Sequence, residues 1–156
     1  MPRISTVRIL DYEPHHQPAF RALNEAWIRQ YFRMEQPDYD MLDRPQQTIL
    51  APGGAILMAE VAGEVVGTCA LLPEGHGVFE LAKMAVTPTA RGLGIGWALG
   101  QAALAKARQL GARRVELLSN SRLQPALALY RKLGFHDMPV PPSPYQRTDV
   151  KMGLDL

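Results

Sequence analysis

The feature that most restricts the fold of this chain is a glycine-rich turn between a strand and a helix. Residues 78–86 are almost wholly apolar, which predicts a central β-strand, and Pro88 ends it because proline cannot donate to a β-ladder. Residues 94–110 then repeat Ala and Leu at helical spacing, which predicts a helix. The turn between them, residues 91–96, has the sequence RGLGIG. We therefore expect a strand–turn–helix unit whose glycines lie at the start of the helix.

A turn of this kind is suited to binding an anion. The first N–H groups of a helix lack internal partners and carry the positive end of the helix dipole, and glycines let an anion approach the backbone. The spacing does not match the dinucleotide fingerprint or a Walker loop, because Gly96 is followed by Trp97 and Ala98. The alternative is a glycine turn that only packs a helix on a sheet.

The remaining pattern predicts one α+β domain over residues 1–156, since 156 residues suit a single domain. Short helical turns and loop are expected over residues 34–52, and an extended, stiff segment over 139–144, where four of six residues are proline. The predicted strands are 3–10, 55–61, 64–72, 78–86, 115–119 and 148–156, and the predicted helices are 17–32, 94–110 and 122–133.

Composition excludes several classes of protein. The single cysteine, Cys69, cannot form an internal disulfide and is expected in the core, and no Cys/His cluster has zinc-ligand spacing, so we expect no metal. No apolar run approaches the roughly 20 residues of a membrane span. The first five residues contain no apolar signal core, so we expect a cytoplasmic protein that does not bind membranes.

Charge is divided unevenly along the chain. Residues 83–132 contain nine basic residues and one acidic residue, a net charge of +8, whereas the remainder has eight basic and fourteen acidic residues, a net charge of −6. This division indicates an anion-binding half, although two solvated faces would give the same count. Nucleic acid is not expected as the anion, because the basic residues are not interleaved with stacking aromatics.

Two blocks of residues resemble a known family. Residues 86–96, VTPTARGLGIG, are similar to the acetyl-CoA signature of the GNAT superfamily of N-acetyltransferases. Asn120, Ala126, Tyr130 and the pair at 134–135 resemble the second block of that family. The resemblance implies a GNAT fold, in which a mixed, mostly antiparallel sheet is splayed between strands 4 and 5 and flanked by helices on both faces.

The resemblance also implies where acetyl-CoA would bind. The end of the central strand would offer backbone groups to the pantetheine arm, with the N–H of Met84 facing the thioester carbonyl, and the glycine turn would hold the pyrophosphate. Arg131, or alternatively Lys132, would meet the 3′-phosphate. The cofactor-binding residues implied in this way are Met84, Ala85, Val86, Arg91, Gly92, Leu93, Gly94, Ile95, Gly96, Trp97, Asn120, Ala126, Tyr130 and Arg131. Trp97 is larger than the residue that relatives often carry, and we expect it to pack against the sheet.

Two residues are candidates for proton transfer. Glu80 is the candidate base, because it lies six residues before Val86, where some family members have a catalytic Glu, and because a carboxylate in an apolar strand is expensive unless paired or functional. Strand alternation would put Glu80 on the same face as Met84 and Val86. The alternative for Glu80 is a salt bridge to Arg147. Tyr130 is the candidate acid, near the cofactor sulfur in the family, and its alternative is a packing aromatic.

The acceptor is the least constrained part of the prediction. The family resemblance places it near the first helix and the loop before the last strand, and the candidate residues there are Tyr31, Glu35, His76, Tyr145 and Arg147. Acidic residues at 35, 38, 40 and 43 would suit a cationic amine. The proline-rich segment would form a wall of the pocket or a contact in a homodimer.

The function predicted from the sequence is therefore transfer of an acetyl group from acetyl-CoA to a primary amine, in a small molecule or a peptide, by direct attack in a ternary complex. The alternative is a non-catalytic domain of the same fold that binds acyl-CoA for regulation. The sequence does not distinguish an acetyl donor from a CoA thioester with a longer acyl group.

Overall fold

A computed structural model describes residues 6–143 and 145–156 of the chain. The strands are β1 (Val7–Asp11), β2 (Ala55–Val61), β3 (Glu64–Gly75), β4 (Val78–Val86), β5 (Arg114–Ser119), β6 (His136–Met138) and β7 (Val150–Asp155). The helices are α1 (Gln17–Tyr31), α2 (Gln36–Asp43), α3 (Ile95–Gln109) and α4 (Gln124–Leu133). Short helical turns cover Pro14–His16, Gln46–Leu50 and Pro88–Ala90.

The seven strands form one sheet in the order β1-β2-β3-β4-β5-β7-β6. All neighbours are antiparallel except β4 and β5, which are parallel and pair only from Val78 to Glu80. Beyond Glu80 the two strands diverge, so the predicted splay between strands 4 and 5 is confirmed. Helices α3 and α4 cover one face of the sheet around Leu99 and Leu127, and α1 and α2 cover the other around Phe20 and Leu42.

Strand β4 contains a bulge that changes which side chains share a face. Ala82 pairs with Ala70, but Ala85 pairs with Thr68, so β4 has one extra residue between these pairs. Lys83 lies in this interval with a positive φ of 54°.

The bulge separates Glu80 from the side chains that we expected beside it. Glu80 pairs with Leu72, which belongs to the core beneath α1 and α2, whereas Met84 and Val86 pack on the core beneath α3. The expectation that these three residues share a face is wrong, because the extra residue reverses the alternation.

Other elements differ from the prediction only locally. Helix α2 occupies part of the segment for which we expected short helical turns and loop, and β7 begins at Val150 rather than at position 148. Strand β6 was not predicted; it pairs with β7 at Gly153, where a side chain would collide with the sulfur of Met138. Residues 3–5 of the first predicted strand and Pro144 of the proline-rich segment lie outside the described residues.

Helices α3 and α4 approach closely because α3 has two glycines on the shared face. A Cβ at Gly96 would lie 2.9 Å from a methyl of Leu129, and one at Gly100 would lie 2.5 Å from a methyl of Leu133. Gly96, the last glycine of the turn, therefore serves helix packing. These contacts hold the middle and the C-terminal end of α4 beside the first two turns of α3.

Candidate active site

A cavity of about 630 Å³ occupies the gap between β4 and β5. It runs from the glycine-rich turn, past the start of α4, to the C-terminal end of α1. The predicted cofactor residues that line it are Met84, Ala85, Val86, Arg91, Gly92, Gly94, Ile95, Gly96, Trp97, Asn120, Ala126 and Tyr130. Of the other predicted residues, Glu80, Tyr31, Tyr145 and Arg147 also line it, whereas Leu93, Arg131, Glu35 and His76 do not.

The turn at one end of the cavity presents unpaired backbone N–H groups. Gly92 and Gly94 have positive φ angles of 85° and 76°, which other residues adopt with strain, and a Cβ on either would meet no atom within 4 Å. The first helical hydrogen bond of α3 runs from Ala98 N–H to the carbonyl of Gly94, at 3.0 Å. Within the described residues, the N–H groups of 94–97 have no backbone acceptor, so this end of the cavity suits an anion.

The edge of β4 forms the middle of the cavity. From Leu81 to Val86 the strand has no partner on the β5 side, so its backbone groups that point away from β3 face the cavity. An extended ligand with amide groups can hydrogen-bond to such an edge. Together with the turn, this edge fits the phosphates and the pantetheine amides of coenzyme A.

Trp97 and Lys132 form a pair at the entrance of the turn. The ammonium of Lys132 lies 4.9 Å from the centre of the Trp97 ring, a cation–π distance. Arg131 instead lies 3.8 Å from Asp137. Of the two basic residues considered for the 3′-phosphate, Lys132 is therefore the one that contacts a residue of the cavity wall.

Glu80 is a half-buried carboxyl group in the cavity wall with an unusual proton affinity. Burial and the neighbouring Glu74 carboxyl raise its pKa to about 7 from an ordinary 4.5, and the charge of Lys83 opposes only part of this rise. The alternative salt bridge from Glu80 to Arg147 is not formed, because Arg147 binds Glu35 and Asp38 instead. A group with a pKa near 7 can exchange protons at physiological pH.

Tyr130 extends from α4 into the cavity beside the buried thiol of Cys69. Its ring packs edge-on against Phe135, with ring centres 6.2 Å apart. Burial and the nearby Cys69 raise the pKa of Tyr130 to about 12, so the hydroxyl stays protonated over the physiological range. The core position expected for Cys69 is confirmed, and burial raises the pKa of its thiol to about 12.

The far end of the cavity rests on a buried cluster of charges that we call the Lys83 cluster: Lys83, Asp38, Arg147, Glu35 and Tyr145. The ammonium of Lys83 donates to Asp38 at 2.7 Å and to the hydroxyl of Tyr145 at 3.0 Å. Arg147 donates to both oxygens of Asp38, at 2.7 and 2.9 Å, and to Glu35 at 3.1 Å. The cluster joins β4, α2 and the segment before β7.

Burial opposes ionisation of Asp38, but its bonds to the two cations outweigh that effect. Burial alone would raise the pKa of Asp38, and the hydrogen bonds from Arg147 together with the charge of Lys83 lower it to about 2. The carboxyl is therefore ionised over the physiological pH range. The guanidinium of Arg147 also stacks on the ring of Tyr145, 4.4 Å from its centre.

Aromatic side chains from the end of α1 complete the cavity wall. Trp27 and Phe32 pack edge-on with ring centres 6.4 Å apart, and Tyr31 lies beside them. Arg122, which follows β5, donates to the carbonyl of Tyr31 at 2.9 Å, and its guanidinium lies 5.2 Å from the centre of the Phe32 ring. Arg122 thus links the two walls of the cavity at its mouth.

Asn120 positions the segments around it. Its side-chain amide donates to the carbonyl of Arg147 at 2.5 Å and accepts from the backbone N–H of Arg122 at 2.8 Å. Both polar atoms are therefore engaged within the protein, which gives Asn120 a role in fixing the cavity wall beside any contact with a ligand.

The model of the acetyltransferase (GNAT) family matches residues 20–135, which is most of the chain. This protein belongs to the acetyltransferase (GNAT) family. The N-acetyltransferase YjgM of Escherichia coli K12 is 37% identical over 97 residues, a match that covers 60% of this chain and 58% of YjgM. The matched segment thus spans less than two thirds of that relative.

Solved structures show the same fold at low sequence identity. A GNAT acetyltransferase from Staphylococcus aureus Mu50 has a TM-score of 0.87 and 18% identity, and the match covers 96% of this chain and 99% of that one. A Bacillus subtilis acetyltransferase, solved in complex with CoA, has a TM-score of 0.75 and 22% identity. That match covers 97% of this chain and 99% of the other.

Several cavity residues of this GNAT protein were missed from the sequence as site residues. Lys83, Trp27, Phe32 and Arg122 line the cavity, and no local motif marked them as contacts for a ligand. His76, which was expected near the acceptor, lies at the tip of the β3–β4 hairpin, where its carbonyl accepts from Arg113.

The acidic residues expected to attract a cationic acceptor are each paired within this GNAT protein. Glu35 and Asp38 bind the cations of the Lys83 cluster, Asp40 lies 3.6 Å from Arg44, and Asp43 binds Arg21. The proline-rich residues 139–143 do not line the cavity. Among the described residues, no group of three His, Cys, Asp or Glu side chains has the geometry of a metal site, and no helix is long and apolar enough to cross a membrane.

Proposed function

We propose that this GNAT protein transfers an acetyl group from acetyl-CoA to a primary amine, by direct attack while both substrates are bound. The observation that carries the proposal is the continuity of one cavity. It contains a turn at 91–97 with free backbone N–H groups, an open strand edge in β4 and a carboxyl group, Glu80, whose pKa is raised to about 7. These are the parts that a ternary complex of a nucleotide thioester and an amine requires.

The turn and the β4 edge would hold the donor. The free N–H groups at 94–97 and the guanidinium of Arg91 would bind the diphosphate, and the backbone of Met84–Val86 would bind the pantetheine amides. A fold neighbour solved with CoA supports this choice of ligand. Bound acetyl-CoA would supply an acetyl thioester, whose C–S bond breaks as the amine nitrogen forms the new C–N bond, and the second proton that this nitrogen loses would pass through water to the departing thiolate.

Glu80 would act as the base. An amine in water has a pKa of roughly 10 and must lose a proton before it can attack. The carboxylate of Glu80, with its pKa raised to about 7, is a stronger base than an ordinary glutamate and is still ionised to a large extent at neutral pH. The proton taken from the ammonium would reside on the Glu80 carboxyl and leave to solvent.

Tyr130 would stabilise the leaving thiolate. Its pKa of about 12 lies well above the roughly 8.5 of a thiol, so complete proton transfer to sulfur is unfavourable. A hydrogen bond from the neutral hydroxyl is the contribution that this pKa allows. The Met84 N–H, on the open edge of β4, would donate to the carbonyl oxygen as negative charge develops there.

Calorimetry with CoA, followed by an assay of thiol release from acetyl-CoA across a panel of primary amines, tests the proposal. We expect CoA to bind and at least one amine to accelerate thiol release. Binding without amine-stimulated release would instead identify a regulatory acyl-CoA-binding domain. Propionyl-CoA and butyryl-CoA, used in parallel, would show whether a longer acyl group is accepted.

A further inference from the structure

The acceptor end of the cavity has a positively charged wall. Lys83, Arg122 and Arg147 line the cavity, whereas Asp38 and Glu35, which balance two of these charges, do not. Asp38 is fully buried behind the cations, and Glu35 lines a separate small cavity on the other side of Arg147. The Lys83 cluster therefore presents its cations to the cavity, whereas its anions do not line it.

Lys83 has the geometry of an anion-binding group. Its ammonium has three N–H donors, of which two bind Asp38 and Tyr145, so one remains. The side chain is only 5% exposed, and hydrogen bonds to a charge are strengthened where water is excluded. The residue also has a strained backbone conformation at the β4 bulge, a kind of strain that is found most often at functional sites.

Glu80 and Lys83 are close in β4 and line the same cavity. The two residues are three apart in one strand, so their Cα atoms lie at most about 10 Å from each other. An amine bound by one and a carboxylate bound by the other would use a hydrogen bond of about 2.9 Å at each end. Because the charge of Lys83 acts on Glu80, the two charged groups lie near each other, and an α-amino acid carries its amine and carboxylate close enough together to contact both.

The same end of the cavity also has an apolar wall. Trp27, Tyr31 and Phe32 line it opposite the charged residues, and aromatic rings of this kind pack well against apolar or aromatic side chains. An acceptor with an apolar side chain beside its amine and carboxylate would contact both walls at once.

We propose that the acceptor is an amine that carries a carboxylate on the adjacent carbon and an apolar side chain, with Lys83 and Arg147 as the residues that bind the carboxylate. This inference rests on the proposed acetyl transfer and specifies its substrate class. A polyamine is disfavoured, because the acidic residues at 35, 38, 40 and 43 are already paired, and among the described residues Glu80 is the one carboxylate beside the three cations that line this end of the cavity.

Matched acceptors test the proposal on the unaltered protein. L-phenylalanine, L-phenylalaninol and 2-phenylethylamine share an aromatic group and a primary amine, and only the first has a carboxylate. We expect kcat/KM to be at least tenfold higher for L-phenylalanine than for the other two, and spermidine to be a poor acceptor. Equal or better activity with L-phenylalaninol, 2-phenylethylamine or spermidine would overturn the inference while leaving acetyl transfer intact.

A binding measurement keeps the two proposals separate. 3-Phenylpropanoate has the carboxylate but no amine, and calorimetry on the protein without acetyl-CoA compares it with 3-phenylpropanamide. We expect the carboxylate to bind at least tenfold more tightly, and equal affinities would contradict the inference. If the carboxylate binds preferentially and no amine stimulates thiol release, acetyl transfer fails and the anion subsite stands as a binding site alone.

Substitution of Lys83 tests whether the Lys83 cluster causes the preference for an acceptor with a carboxylate. Lys83→Met should raise KM for L-phenylalanine at least tenfold and change KM for 2-phenylethylamine by less than threefold. Lys106→Met is the matched control, because Lys106 also pairs with an aspartate, Asp11 at 3.1 Å, but lies outside the cavity. Tyr145→Phe, which removes the other hydrogen-bond partner of the ammonium, should act in the same direction and applies even if Lys83→Met is poorly folded. An equal loss for both acceptors would show a structural role only.

Discussion

The ammonium of Lys83 lies 2.7 Å from a carboxylate oxygen of Asp38, and the two side chains are 5% and 0% exposed. The residues are 45 apart in the chain, one at a bulge in the central strand and the other in α2. Because Arg147 binds the same carboxylate, this single acidic group holds together three segments that form the proposed acceptor end of the cavity.

Asp38→Asn should destabilise the protein by about 3–5 kcal/mol, because it leaves the buried ammonium of Lys83 without its counter-charge and leaves Arg147 with Glu35 alone. Asp43→Asn is the control: Asp43 also pairs with an arginine, but its side chain is 43% exposed, and exposed pairs contribute less than about 1 kcal/mol. Urea unfolding, monitored by circular dichroism, measures the free energy of unfolding of both variants. Similar losses in the two variants would contradict a structural role for the Lys83 cluster.

Glu80→Gln should stabilise the protein above pH 7 and leave its stability unchanged near pH 4. Burial and Glu74 raise the folded-state pKa of Glu80 to about 7, above the ordinary 4.5, so the native protein holds this proton more tightly than the unfolded chain does. The stabilisation that comes from this tighter proton binding is fully present below pH 4.5 and is lost as the pH rises to about 7. Gln, being neutral, avoids the loss, which is on the order of 1–3 kcal/mol.

Melting temperatures of Glu80→Gln and the unaltered protein from pH 4 to pH 9 measure this difference. The charged neighbours of Glu80 that contribute are Glu74, Glu116 and Lys83. We expect the gap between the two proteins to open as pH rises. A variant that is less stable at pH 8 would indicate that Glu80 is held by a favourable ion pair.

Tyr130→Phe should lower kcat at least tenfold while CoA affinity changes by less than threefold. The hydroxyl is proposed to act only on the leaving sulfur, and the ring that packs on Phe135 is retained. Tyr12→Phe is the control, because Tyr12 is another tyrosine whose pKa is raised by burial, and it packs on Phe20 outside the cavity. Steady-state kinetics measures kcat, and calorimetry measures the affinity for CoA. An unchanged kcat would show that Tyr130 only packs against its neighbours.

Gly94→Ala should weaken CoA binding at least tenfold. The variant gains a Cβ at the place where a phosphate would contact the free N–H groups, and it is strained by the positive φ of 76°. Gly111→Ala, at the other end of α3, has the same strain, with φ of 82° and no atom within 4 Å of its Cβ, but is remote from the turn. Calorimetry should show weaker binding only for Gly94→Ala, although both variants lose about 1–2 kcal/mol of stability.

Features that depend on neighbouring residues in the chain were predictable. The turn at 91–96 and the end of β4 before Pro88 follow from backbone preferences of glycine and proline, which act within a few residues. The same local patterns carried the resemblance to the GNAT family, and with it the splayed sheet. The core position of Cys69 followed from its apolar neighbours in a strand.

The composition of the acceptor end was decided only by tertiary structure. No local pattern indicates that Lys83 occupies a bulge, because the bulge is defined by the pairing of β4 with β3. The charge at 38 looked available to a cationic substrate until the fold brought Lys83 and Arg147 to it, from 45 and 109 residues away. A sequence shows how many charges a segment has, whereas their mutual neutralisation depends on which distant side chains share a buried site, where pairing is strong because water is excluded.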